Sequence, residues 1–367
     1  MFDRRLVQYY NWSLLGIILL LGLIGLITLF SAVTTGKDAS QQTLYAKQLI
    51  WYCSGLTVMV ALFLFDYKLL DRWASLIYVV CIILLILVLF FGKYVAGSKR
   101  WLVIGPISIQ PSELVKIAVV IILARYYSKW ACTKGLTLRE LIYPSILTLI
   151  PFALIVRQPD LGTAMLVLLL AASITIFVKI EKKSLCFIFA VSMIVVPMVW
   201  LFLKEYQQQR ILTFLNPERD PLGAGYHIIQ SKIAIGSGMI FGKGFLKGTQ
   251  NVLSFLPEQH TDFVFSVMAE EWGFVGSFVL LGLFMALILQ GLSVAYNCRD
   301  PFGVILSTGL TMMIFWQVII NIGMVMGLLP VVGIPLPFIS YGGSSIIATM
   351  ICVGILMNIS MRRFMFE

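Results

Sequence analysis

The chain has 367 residues, of which 60% are hydrophobic and 12% charged, with a formal net charge of +10 and a mean hydropathy of +0.96. A water-soluble globule carries about 25% charged residues and has no means of hiding this much apolar surface, so a soluble enzyme and a soluble nucleic-acid binder are both excluded. Repeated apolar segments long enough for roughly 30 Å of hydrocarbon point to a polytopic helical membrane protein, since a barrel would show weaker, alternating segments.

Ten spans are predicted, at about 13–33, 47–65, 73–92, 112–127, 140–156, 161–179, 184–203, 263–292, 303–328 and 343–361, making residues 1–367 one all-α membrane domain. The first follows MFDRR without a small-residue cleavage site and reads as a retained span rather than a signal peptide. The fifth is barely long enough, and a re-entrant segment is its alternative. With the N-terminus in the cytoplasm, inner loops and ends hold Arg4, Arg5, Lys68, Arg72, Arg125, Lys129, Lys134, Arg139, Lys179, Lys182, Lys183, Arg299, Arg362 and Arg363. The short outer loops hold only Lys37, Lys47, Lys93, Lys99, Arg100 and Arg157. The positive-inside rule then places both termini in the cytoplasm. Cys53, Cys81 and Cys352 fall within spans, Cys186 near an inner end, and Cys132 and Cys298 on inner loops, so no structural disulfide is expected.

The departures from plain spans carry the polar chemistry. The outer loop GKYVAGSKRWLVIGPISIQPSE (92–113) offers Arg100-Trp101 as an anion platform or, for Trp101 above all, an interfacial anchor. In PSELVK, Glu113 and Lys116 lie three residues apart on one helix face, as an ion pair, a site wall or both. QPDLGT sets Asp160 at an outer break, either opening a cavity or sitting in an ordinary turn at a helix N-terminus. The longest connection, about 204–262, faces outward. Asn216-Pro217 and the DPLG stretch read as turns, GYHIIQSKIAIGSG as a short helix at the membrane surface, and GSGMIFGKGF with Lys243 as either an anion cradle or tight glycine packing. It is no P-loop, because no GKS or GKT follows.

The connection ends in LPEQHTDFVFSVMAEEWG (256–273), which brings one of two histidines and four acids to the mouth of the eighth span. Thr261 or Asp262 is the expected helix cap. Glu270 and Glu271 lie roughly 12–13 Å deeper and read as structural intramembrane acids. Asp262, flanked by Glu258 and His260 at the outer mouth, is the candidate general base. Near the C-terminus, LLPVVGIPLPFISYGGSS (328–345) dips toward the bilayer and offers Ser340, Tyr341, Ser344 and Ser345. The basic residues around this vestibule (Lys93, Lys99, Arg100, Lys116, Arg210, Lys243, Lys247) favour an anionic headgroup such as a diphosphate on an apolar tail. On the residues alone, hydrolysis of a lipid diphosphate, sugar transfer from it and its translocation all stand.

QPSELVKIA (110–118), RQPDLGTA (157–164), FLNPERDPLGAGYHIIQSKIAIGSG (214–238), GKGFLKGTQ (242–250), LPEQHTDFVFSVMAEEWGFVG (256–276) and GIPLPFISYGGSS (333–345) resemble, in this order and over essentially the whole chain, the SEDS family (shape, elongation, division and sporulation), and its elongation branch more than its division branch. The resemblance implies a peptidoglycan glycosyltransferase of ten spans in the bacterial plasma (inner) membrane, polymerising lipid II into glycan strands at the outer face, with release of undecaprenyl diphosphate. It implies Asp262 as the catalytic residue and Glu113, Lys116, Asp160, Ser344 and Ser345 as parts of the central cavity. Arg210, Lys243 and His260 complete the substrate-binding set. A divalent cation, magnesium or manganese, is an optional counter-charge, and the sequence shows no closed metal site. The implied partners are a class B penicillin-binding protein and other elongation-complex proteins, with no nucleic acid. A lipid II flippase and a non-enzymatic scaffold for that transpeptidase are the alternative functions.

Overall fold

The computed structural model describes residues 10–34, 42–95, 98–105, 107–130, 135–201, 205–220, 223–252 and 260–362. In chain order these form α1 (Trp12–Thr34), α2 (Gln42–Leu64), α3 (Lys68–Phe91), β1 (Lys93–Val95), β2 (Ser98–Ile104), β3 (Ile107–Ile109), α4 (Pro111–Lys129), α5 (Leu138–Arg157), α6 (Leu161–Phe177) and α7 (Lys182–Trp200). After these come α8 (Glu205–Leu215), a 3-10 turn (Pro217–Arg219), α9 (Ala224–Ser237), α10 (Thr249–Val252), α11 (Val264–Asn297), α12 (Pro301–Val325) and α13 (Gly343–Arg362). A helix lies on each predicted span, and seven of the described helices are long and apolar enough to cross a membrane. The chain is a polytopic helical membrane protein. Arg4, Arg5, Lys37, Cys132, Lys134, Glu258 and Arg363, assigned above from the sequence, lie outside the described residues.

Two features differ from a bundle with simple loops. Within the segment read as an outer loop at 92–113, the described residues form a three-stranded antiparallel sheet in the order β1-β2-β3. Leu102 pairs with Ile109 and Val103 with Ser108, and Gly105 turns the second hairpin at φ +63. The β-branched and aromatic run in KRWLVI suits a pleated strand better than a coil. The fifth predicted span, in turn, is a continuous 20-residue helix despite Pro144 and Pro151 inside it. Each proline deprives the carbonyl four residues earlier of its amide partner. Tyrosine hydroxyls from neighbouring helices take their place: Tyr126 donates to the Glu140 carbonyl at 2.8 Å and Tyr78 to the Leu147 carbonyl at 2.8 Å.

Two apolar clusters hold the bundle. One joins α3, α4, α5, α6 and α12 around Leu85, Val119, Leu123, Leu170 and Leu310. The other joins α1, α2, α11 and α13 around Leu14, Met59, Phe284 and Val353. Between them, α4, α12 and α13 are buried on nearly every face, so a polar side chain on these helices meets protein rather than lipid.

The connection before α11 packs inward. The predicted surface helix forms as α9, but its buried stripe is Gly225, Ile228, Ser231 and Ala234, while Ile233 is 46% exposed. Ser231 Oγ donates to the Val325 carbonyl at 2.6 Å and lies 2.8 Å from Ser266 Oγ. The helix is therefore docked on α11 and α12 instead of floating on its isoleucines.

The glycine-rich stretch that follows repairs a break in α11. Gly273 has φ 65 and ψ −159, a conformation open essentially to glycine alone, which separates the amides of 274 and 275 from the carbonyls of 270 and 271. All four groups find partners in residues 239–244: Phe274 N–H donates to Met239 O at 2.8 Å and Val275 N–H to Ile240 O at 3.1 Å. Lys243 N–H and Gly244 N–H donate to Glu270 O and Glu271 O, each at 3.0 Å. A Cβ on Gly242 would stand 2.1 Å from the Glu271 carbonyl oxygen, and one on Gly238 2.1 Å from that of Ala269. Of the two sequence readings of these glycines, tight packing is the one the structure displays.

Candidate functional site

The cleft that collects Asp262, Glu113, Arg210 and Ser345 of the predicted site residues, but is not lined by Lys116, Asp160, Lys243, His260 or Ser344, lies where the 260–263 turn, the loop between α12 and α13, β2, α8 and the N-terminus of α4 meet. Its volume is ≈ 370 Å³, and Arg100, Gln110, Glu113, Arg210, Asp262 and Ser345 line it, with Trp101, Thr163 and Tyr341 beside them. Two guanidinium groups and two carboxylates thus face one space, as recognition of a phosphorylated, hydroxyl-bearing ligand requires.

Asp262 is not the cap of α11. That position falls to Phe263, whose carbonyl accepts from Ser266 N–H at 3.0 Å. The turn carrying Asp262 is instead tied on both sides of Thr261, to the α12–α13 loop before it and to α12 after it. The His260 carbonyl accepts from Tyr341 N–H at 2.9 Å, and the Asp262 carbonyl accepts from Asn321 Nδ2 at 3.0 Å. The same Nδ2 reaches the Ile334 carbonyl at 2.8 Å. The His260 ring faces Tyr341 at a centroid distance of 6.0 Å. Burial pushes the Tyr341 phenol above its ordinary pKa, so it stays a neutral donor in the cleft.

Glu113 and Lys116 sit on the first two turns of α4, 3% and 1% exposed, with Nζ donating to Oε1 at 2.8 Å. Pro111 at the first helical turn starts α4, and Gln110 occupies its N-cap. Glu113 reaches the cleft while Lys116 stays behind it. Asp160 is the N-cap of α6, accepting from Thr163 N–H at 3.3 Å and Thr163 Oγ1 at 2.9 Å, and pairing with Arg100 at 3.7 Å. Arg100 also donates to the Pro159 and Gln158 carbonyls, so β2 is stapled to the α5–α6 turn. Ser344 Oγ accepts from Gln110 N–H at 3.0 Å, fastening the start of α13 to that of α4.

Lys243 does not join the cleft. Its Nζ donates to Glu270 Oε1 at 2.6 Å and to Thr249 Oγ1 at 2.7 Å, in the network that packs the glycine-rich segment on α11. Thr249 Oγ1 and Gln250 N–H also donate to that Glu270 oxygen. Glu271 accepts from Ser31 on α1. Both glutamates are fully or nearly fully buried. Sequence reading passed over Gln110, Thr163 and Asn321. It also missed Gln48, which clamps the C-terminal side of the same loop through Ser340 O and Gly342 N–H at 3.1 and 3.2 Å. Single amides within apolar helices leave no spacing signal.

Among the described residues no group of three or more His, Cys, Asp or Glu is placed to hold a metal ion. Two carboxylates do face the cleft, and Glu113 Oε2 has no hydrogen-bond partner among the described residues. That donor set fits magnesium, which takes one or two carboxylates and completes its shell with water and substrate phosphate.

A family model described as "Cell cycle protein", FTSW_RODA_SPOVE, matches residues 11–364. The peptidoglycan glycosyltransferase MrdB of Escherichia coli (strain K12) is 45% identical over 312 residues, covering 85% of this chain and 84% of that protein. The peptidoglycan glycosyltransferase RodA of Treponema pallidum (strain Nichols) is 34% identical, covering 98% and 99%. Among solved structures, a chain from a peptidoglycan synthase complex, studied for the coordination of polymerization and crosslinking, matches with a TM-score of 0.82 and 32% identity over 97% of this chain and 98% of that one. The rod shape determining protein RodA of Thermus thermophilus matches at 0.71 and 28% over the same shares.

Proposed function

This chain belongs to the FtsW, RodA and SpoVE family of cell cycle proteins, and on that premise we propose that its cleft polymerises lipid II into glycan strands for cell-wall elongation and rod shape. The observation that carries the reading is the meeting of the Asp262 carboxylate with the Arg100 and Arg210 guanidinium groups in one cleft at the end of the bundle where α11 begins. A base beside two fixed cations suits attack at a carbon whose leaving group is a diphosphate.

Asp262 takes the proton from the 4-hydroxyl of the acceptor sugar. The freed oxygen attacks C1 of the donor sugar, the C1–oxygen bond to undecaprenyl diphosphate breaks, and the diphosphate departs with the bonding pair. An α-linked donor gives a β-1,4 product by inversion. Arg100 and Arg210 offset the charge of the leaving diphosphate, and Glu113 and Asp262 are the residues to hold a magnesium or manganese ion, whose chemistry is neutralisation of phosphate charge. Ten spans put both termini in the cytoplasm and the cleft at the outer face of the bacterial plasma membrane. The partner is a class B penicillin-binding protein, which crosslinks the new strands.

The test uses detergent-solubilised protein, where no bilayer remains to be crossed. Labelled lipid II is incubated with the wild type and with Asp262→Ala, alone and with the transpeptidase partner. Glycan ladders from the wild type and none from the variant are expected. Undiminished ladders from Asp262→Ala overturn the catalytic assignment. Absence of polymer in every arm, with lipid II crossing vesicle membranes, supports a flippase.

A further inference from the structure

Asn321 lies on α12, fully buried, and its side chain meets the candidate base from behind. Nδ2 donates one hydrogen to the Asp262 carbonyl at 3.0 Å and the other to the Ile334 carbonyl at 2.8 Å. Both donors are used, and Oδ1 has no hydrogen-bond partner among the described residues. A flipped amide would set its oxygen against two carbonyl oxygens, so the orientation is fixed by chemistry. The amide therefore welds the residue carrying the base to the loop forming the opposite wall.

The loop side of this weld is built to come close. Gly333, next to Ile334, has φ +72, and a Cβ there would lie 3.2 Å from Asp262 Oδ2. The carboxylate thus rests over a bare backbone position, in a conformation that side chains rarely adopt. Main-chain anchoring by Asn321 and side-chain clearance at Gly333 act on the two ends of one residue.

We propose that Asn321 is a positioning residue for Asp262, and that Gly333 is kept bare so that the Asp262 carboxylate can take up its working orientation in the cleft. The inference rests on Asp262 being the general base. A base must lie within hydrogen-bond reach of the proton it removes, and a displacement of about 1 Å lowers rates on the order of 100-fold. Asn321 bonds Asp262 through its main-chain carbonyl, and Gly333 lines the cleft beside its carboxylate without offering a side chain to the reaction.

The test compares Asn321→Ala, Asn321→Asp and Gly333→Ala in the full-length protein with its transpeptidase partner, by steady-state kinetics on lipid II. Gln317→Ala is the packing control: Gln317 is equally buried one turn away on α12, and its amide has no partner among the described residues. The expected result is a kcat lowered at least tenfold in all three variants, with KM for lipid II within twofold of wild type and the control within threefold in both constants. Asn321→Asp keeps the shape but turns an acceptor toward two carbonyls, so its failure marks donation rather than packing. Wild-type kcat in folded Asn321→Ala or Asn321→Asp overturns the proposal. Where both Asn321 variants fail to fold, Gly333→Ala decides it, and a kcat within twofold of wild type overturns it. Asp262→Ala is run alongside. Its continued polymerisation would remove the base assignment itself, whereas an inactive Asp262→Ala with fully active Asn321 variants removes only the positioning role.

Discussion

At the scale of single residues, the cleft depends on charges whose partners are fixed by the fold. Glu113 and Lys116 are buried together at 2.8 Å, and removing one member leaves the other without compensation. Lys116→Met is expected to cost about 3–5 kcal/mol, read as a lowered unfolding temperature in detergent. Adding Glu113→Gln should restore most of that stability but leave polymerisation down more than tenfold, because Glu113 also lines the cleft. Arg210 faces the same space and forms no ion pair among the described residues. Loss of one charge-assisted hydrogen bond, about 1.5–3 kcal/mol, predicts that Arg210→Ala raises KM for lipid II roughly 10- to 100-fold. The i,i+3 spacing made the Glu113–Lys116 pair legible in the sequence, and helix-mouth position did the same for Asp262. Asn321 and Gln48 were not legible, because one amide in an apolar run gains meaning only from the distant carbonyl it meets.

At the scale of elements, this protein repairs broken helices with groups from elsewhere in the chain. Tyr78 serves the carbonyl that Pro151 strands. Tyr78→Phe leaves that carbonyl orphaned in an apolar setting and is predicted to cost about 1–3 kcal/mol. Pro151→Ala in the same chain returns an amide to Leu147 and should recover the loss, a rescue measurable by thermal denaturation. The Gly273 break in α11 is served by residues 239–244, and a methyl group at Gly242 would strike the Glu271 carbonyl. Gly242→Ala should therefore expose the Lys243 and Gly244 amides to hydrogen exchange while α12 keeps its protection. The length of the apolar runs located the spanning helices, including the proline-bearing α5. It gave no sign of the repairs, which join residues far apart in sequence, nor of the sheet within 93–109, where three short strands sit inside a segment read as a loop.

At the scale of the whole molecule, helices on the ten predicted positions enclose a polar cleft beside α4, α12 and α13, the helices with most protein around them. That arrangement explains why a chain so apolar tolerates buried charge: Glu113, Asp160 and Glu270 each meet a lysine or arginine inside the protein, and Glu271 a serine hydroxyl. The proposed ten crossings would return the chain to the side on which it began. Reporter fusions at the two termini should both report the cytoplasm, while a cysteine introduced at the cleft rim should react with an impermeant thiol reagent from the outside. The motif order carried the family, and basic-residue asymmetry is the basis of the proposed orientation. The sequence placed Arg100 and Arg210 near Asp262 but not the way the 328–342 loop closes on them, because its lining residues Val332, Gly333 and Pro335 carry no charge or motif that marks a wall. The most direct test of the central claim is single-turnover glycan bond formation by Asp262→Asn, reconstituted with the transpeptidase partner and saturated with lipid II. The isosteric amide should bind lipid II with wild-type affinity and form bonds at least 1,000-fold more slowly, about 4 kcal/mol of lost transition-state stabilisation; bond formation at the wild-type rate would contradict the account.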